Sequence, residues 1–176
     1  MFSILFDRDL KAINTTIQRQ QFVQNIIDAL PSGVCIYDVR QNKDVFINRA
    51  FAEALGSVPA KEPQKAGFIR SVMHPDDWQP FLDYVKKLSG LSDDEPAEFE
   101  FRLRHSSGFW RWFQTRDKVF SRNEDGSVRE IISIATDITE RKNAEDEARF
   151  MTDLDRAVKP LTDPKEVVGV TVRMLA

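Results

Sequence analysis

Strict two-residue alternation marks the second half of this chain. In Glu98-Phe-Glu-Phe-Arg-Leu-Arg104, Phe99, Phe101 and Leu103 share one face and charged residues the other. That is the period of a half-buried strand. His105-Ser-Ser-Gly108 reads as a turn, and Phe109 opens a long strand reaching about Phe120. Asn123-Glu-Asp-Gly126 carries the Asp-Gly pair favoured in hairpin turns, and Val128 to Thr136 forms a last strand. Nearer the start, Val34–Val39 and Asp44–Asn48 are short β-rich runs across the polar Arg40-Gln-Asn-Lys43, a first hairpin.

The helical pattern lies before and between these runs. From about 3 to 30, Leu10, Ile17 and Gln24 repeat every seven residues, as do Phe6, Ile13, Gln20 and Ile27. Two readings stand: an amphipathic helix folded back on its own domain, or a dimer seam, which the glutamines weaken. Pro31-Ser32-Gly33 stops it. Asn48 before Arg49–Leu55 and Gly56 predicts an N-capped two-turn helix with a glycine stop. The stretch 57–72 reads as irregular. His74-Pro75-Asp76-Asp77 predicts a helix start, with proline in the first turn and two acids at the positive end, running to about Ser89-Gly90. After the last strand, Asp137 and Glu140 stand in capping-box spacing, with Thr139 an alternative cap. Beyond them Ala144, Met151 and Val158 form one heptad line and Glu147, Leu154 and Leu161 another, an imperfect coiled coil.

Apolar residues also occupy both faces of the predicted sheet. Val34 and Ile36 oppose Cys35 and Tyr37; Ile132 and Ile134 oppose Ile131, Ser133 and Ala135; Trp110 and Trp112 oppose Phe113 and Thr115. One face packs on helices, and the other needs a cover, most simply the N-terminal helix or a second subunit.

Composition narrows the function classes. The 176 residues are 41% hydrophobic and 30% charged, with a net charge of −3, so wholesale disorder is not expected. No long basic stretch suggests nucleic-acid binding. One cysteine and two histidines make neither an internal disulfide nor a usual zinc site, which suits a reducing, cytoplasmic setting. The apolar start Met1–Phe6 is too short to span a bilayer, so no membrane segment is expected within this stretch. No Walker-type loop, no Gly-x-Ser-x-Gly and no metal cluster is present, and neither histidine has the Glu-and-Arg surroundings of a kinase phosphoacceptor. The acid pairs Asp76-Asp77 and Asp93-Asp94 fall at a helix start and in a solvated loop. The chain is expected to be non-catalytic.

Four landmarks in order carry a resemblance. They are Asn48 ending the second strand, His74-Pro-Asp-Asp77, Arg102-Leu-Arg-His-Ser-Ser-Gly108 followed by Arg111-Trp112, and Asp137-Ile-Thr-Glu-Arg-Lys142. Over about residues 22–142 the chain resembles PAS sensor domains of bacterial multidomain signalling proteins. The resemblance implies an α+β fold, a five-stranded antiparallel sheet with helices on one face, flanked by an N-terminal helix and a C-terminal signalling helix. It implies that Cys35, Tyr37, Phe113, Thr115, Ile131, Ser133 and Ala135 face a cleft, either a filled core or a site for an unknown small ligand. It also implies that Asp137, Ile138, Thr139 and Glu140 form a relay into the exit helix, and that the chain is a homodimer through its N-terminal helix and outer sheet face.

Specific cofactors find no support, and none is predicted. Flavin-binding relatives place their cysteine in a helical Asn-Cys-Arg-Phe-Leu-like run, whereas Cys35 lies in a strand. Haem-binding relatives need a helical histidine, whereas His74 starts a helix and His105 sits in a turn. The expected organisation is an N-terminal helix over 1–30, a sensor domain over 31–140, a linker helix over 138–158 and, from 159 to 176, the start of a second domain similar to GAF domains. The expected function is the regulatory module of a sensor histidine kinase, signalling in cis to an effector domain. The alternatives are a cofactor-bearing light, redox or gas sensor, and a ligand-free interaction module of a cyclic-dinucleotide enzyme.

Overall fold

In a computed structural model of the chain, the described residues are 18–19, 21–56, 67–88, 90, 92 and 95–159. The expected second domain over 159–176 lies almost wholly outside them, as do Asp93-Asp94, Leu161 and the heptad positions before residue 18. The chain divides into two units, Met1–Asp137 and Ile138–Ala176.

In the first unit, helical residues 21–29 (α1) precede β1 (Gly33–Asp38) and β2 (Lys43–Ile47). Three helices follow: α2 (Arg49–Ala54), α3 (Phe68–Val72) and α4 (Pro75–Leu88). Then come β3 (Ala97–Arg104), β4 (Trp110–Arg122) and β5 (Val128–Asp137). The five strands form one antiparallel sheet in the order β2-β1-β5-β4-β3. The α+β fold expected from the sequence is present. The helical connection carries the chain from one sheet edge, β2, to the other, β3, while β5 returns to the centre beside β1.

Register explains the inner face. Cys35 pairs with Ser133, Tyr37 with Ile131, and Gly33 with Ala135 between β1 and β5. Thr115 pairs with Ala135 and Val119 with Ile131 between β4 and β5. Side chains in register point to the same side, so these positions build one surface. It packs in two clusters. Phe51, Leu55, Ile69, Met73, Phe101, Leu103 and Phe113 join Cys35 and Ala135, while Val85, Leu88 and Val128 join Tyr37 and Ile131.

Asn48 ties the hairpin to the helices. Its Oδ1 accepts from Val34 N (2.8 Å) and Phe51 N (3.1 Å), and its Nδ2 donates to Ile27 O (3.3 Å) and Ser32 O (3.1 Å). The predicted N-cap is thus also a four-way joint among α1, β1, β2 and α2. Gly56 ends the helix with φ 69°, and a Cβ there would sit 2.5 Å from His105 Nε2. Both the left-handed backbone and the space call for glycine.

One expectation needs correction. The stretch 57–72 is not irregular throughout, since 68–72 form α3. Its amides find their cap far away: buried Asp44 accepts from Phe68 N (3.2 Å) and Ile69 N (3.0 Å). At the exit, Ile138 occupies the N-cap position, and Asp137 accepts from Arg111 Nη1 at 3.0 Å across the sheet.

The N-terminal helix presents apolar side chains to solvent. Phe22 is 63% exposed and Ile26 48%, with Val23 and Leu30 beside them, while Ile27 is half-buried. Of the heptad positions named for this helix, Gln24 and Ile27 lie among the described residues, and the choice between fold-back and dimer seam rests on positions outside them. The outer sheet face likewise leaves Ile134, Phe120 and Val45 exposed.

Candidate functional site

A cavity of about 30 Å³ lies between the sheet and the helices. That is room for one or two water-sized groups. β1 contributes Cys35 and Tyr37, β4 Thr115 and Asp117, and β5 Ile131 and Ser133. Helix α4 closes it with Phe81, Tyr84, Val85 and Leu88, and α2, α3 and β3 add Phe51, Ile69 and Phe101. Five of the seven residues expected at the cleft line it: Cys35, Tyr37, Thr115, Ile131 and Ser133. Phe113 and Ala135 sit deeper in the packed core, where Phe113 tilts against Phe51 at 5.5 Å.

Asp117 is the group the sequence reading passed over. It is only 3% exposed. Tyr84 donates to its Oδ2 at 2.6 Å and Thr115 at 2.9 Å. Tyr84 itself is held in place by stacking on Phe99 at 4.7 Å. Burial raises the Asp117 pKa above the usual carboxylate value, while the hydroxyls of Ser133, Tyr84 and Thr115 around it oppose the rise. The signal was present in the sequence: Phe113, Thr115 and Asp117 alternate, so Asp117 shares the inner face.

The other ionisable groups suit recognition better than catalysis. Burial, then the nearby Asp44 and Asp117 charges, push the Cys35 thiol well up, so the nucleophilic thiolate is disfavoured. Burial and Asp44 likewise push the Tyr37 hydroxyl up. Its ring is fixed edge-on to Phe81 at 5.2 Å. Outside the cavity, His74 Nδ1 accepts from Asp76 N at 3.2 Å, capping the start of α4, and His105 stacks on Phe109 at 4.6 Å. Asp77 receives three hydrogen bonds from Arg102, two from the side chain and one from the backbone, at 2.7–3.0 Å. Burial alone would raise its pKa, but Arg102 outweighs this and holds it below the usual range. These four groups are structural fasteners. Among the described residues, no cluster of three His, Cys, Asp or Glu side chains could hold a metal, and no helix is long and apolar enough to cross a membrane.

The exit joint is built at the end of β5. Phe113 pairs with Asp137, and the Arg111–Asp137 ion pair ties the ends of β4 and β5 together. Helix α5 (Thr139–Val158) follows directly after Ile138 and carries Glu140 in its first turn, a favourable place for an acid. None of its residues is buried. Its ordering relies on local pairs such as Arg141–Glu145 at 2.7 Å.

Residues 44–135 match the family model described as the PAS fold. The uncharacterized protein y4lL of Sinorhizobium fredii (strain NBRC 101917 / NGR234) is 35% identical over 112 residues, covering 60% of this chain and 13% of that protein. Among solved structures, a sensory box histidine kinase/response regulator from Burkholderia thailandensis E264 superposes with a TM-score of 0.59 at 24% identity, covering 77% of this chain and 98% of that one. A PAS domain from Colwellia psychrerythraea gives 0.54 at 19% identity, with coverages of 70% and 98%. The PAS domain of an HTR-like protein from Haloarcula marismortui gives 0.53 at 17%, with coverages of 69% and 98%. At these identities the solved structures show a shared fold.

Proposed function

This chain belongs to the PAS fold family, and from that premise we propose that it is the sensory module of a signalling protein, passing a conformational change through α5 to an effector domain. The observation that carries the reading is the continuity of β5. One strand lines the cavity with Ile131 and Ser133, ends at the Arg111–Asp137 clasp, and leads through Ile138 into a helix with no buried residue. A helix without a core of its own is cheap to rotate or tilt, so small strand shifts can bias it. The histidine kinase named among the structural neighbours points to a kinase effector.

Dimerisation belongs to the same reading. The exposed stripe of Phe22, Ile26 and Leu30 on and just after α1, with Val23 beside it, is the kind of apolar surface a second copy covers. The cavity residues Cys35, Tyr37, Thr115, Ile131 and Ser133 are the input end of the relay, and the small volume favours a small guest over flavin or haem.

The relay has a geometric test. With the chain fused ahead of a reporter kinase, one to seven alanines are inserted after Glu147. Each residue turns the downstream helix by about 100° and lengthens it by about 1.5 Å. A helical relay gives output that oscillates with insert length and recovers near seven residues. Output that is flat or falls steadily with length would refute it.

A further inference from the structure

Two deeply buried polar atoms on the cavity wall, the Tyr37 hydroxyl and Asp117 Oδ1, make no hydrogen bond. Such atoms are costly to leave unmet, above all on a carboxylate. Tyr84 at 2.6 Å and Thr115 at 2.9 Å both donate to Oδ2, whereas Oδ1 has no partner within hydrogen-bond distance. Oδ1 is therefore an acceptor with capacity to spare.

The walls select among guests. Among the residues that line the cavity there is one carboxylate and no Lys, Arg or His, so a cationic guest finds its counter-charge in the wall itself. Tyr37, Phe81, Tyr84 and Phe101 add aromatic rings, whose faces attract cations. A volume of about 30 Å³ admits only one or two heavy atoms.

Resting on the sensory reading above, the geometry points to a receptor site for a small primary ammonium ion, its N–H groups donating to Asp117 Oδ1 and the Tyr37 hydroxyl oxygen. The cation neutralises the carboxylate inside the fold, and its size limit excludes longer amines. Ser133 Oγ, on the same wall, is available as a further acceptor.

Titration calorimetry of the 176-residue chain with methylammonium chloride tests this, with potassium chloride and sodium acetate as controls at equal ionic strength. The expected result is saturable binding of methylammonium and none of acetate or potassium. Asp117→Asn keeps the side-chain shape but puts an N–H₂ donor where the acceptor was. It should weaken binding by about ten- to a hundred-fold, the range for a hydrogen bond to a charged group. Tyr37→Phe should weaken it less, with circular dichroism showing both variants folded. If Asp117→Asn does not fold, Tyr37→Phe and the cavity-filling Ser133→Ile carry the test, the latter abolishing uptake. Absence of saturable methylammonium binding, unchanged binding in the folded variants, or a preference for acetate would each overturn the site. Because binding is read without any output from α5, its failure leaves the helical relay standing, and a flat insertion series leaves the site standing.

Discussion

Replacing Asn48 with alanine should destabilise the domain by about 3 kcal/mol, seen as a lower urea midpoint with an unchanged slope. The size follows from what the side chain satisfies. Two backbone amides, Val34 N and Phe51 N, and two carbonyls, Ile27 O and Ser32 O, lose a partner at once. Asn48 is only 2% exposed, so water cannot readily replace it. A lost N-cap alone costs about 1 kcal/mol, and each unmet buried group about 1–3 kcal/mol, with relaxation making the sum less than additive. Asn48→Asp retains the acceptor role but not the donor role, and it should fall between wild type and alanine. A loss below about 1 kcal/mol for alanine would mean that the four-way joint contributes only as a helix cap.

Phe113→Ala should cost about 3–5 kcal/mol, the largest single effect expected in this chain. Phe113 is 1% exposed and sits on the sheet's inner face, packed with Phe51. It pairs with Phe101 on one side and Asp137 on the other, so neighbouring strands cannot close the gap without breaking register. The void therefore persists, and the loss includes both transfer and cavity contributions. Phe113→Leu should recover more than half of it. Thermal unfolding followed by circular dichroism measures both, and a loss under about 1.5 kcal/mol for alanine would show that the core collapses around the site.

Much of the architecture was legible because its signals are local. Alternation in Phe99, Phe101 and Leu103, the Asp125-Gly126 turn and the Asn48 cap each depend on a few neighbouring residues. Helix α3 was not legible, for it has five residues, too few to show a 3.6-residue period, and its cap is Asp44, more than twenty positions earlier. The Arg111–Asp137 pair was not legible for the same reason, since it joins β4 to the end of β5. At the cavity, the family resemblance implied Cys35, Tyr37, Thr115, Ile131 and Ser133. It also placed Phe113 and Ala135 on the right face, but depth within that face depends on where the helices press. Asp117 was masked by its charged neighbours Arg116 and Lys118, which suggest a solvated run. On α1, the heptad lines drew attention to Gln24 and Ile27, whereas the exposed stripe runs through Phe22 and Ile26.

In the proposed relay the state of the cavity reaches α5 through β5. Hydrogen exchange read by mass spectrometry on wild type and Ser133→Ile compares an open cavity with a filled one. Exchange over 138–150 should change by about threefold or more together with β5, while β3 at the far edge stays the same. Exchange curves over 138–150 that superimpose, with changes confined to the cavity walls, would contradict it.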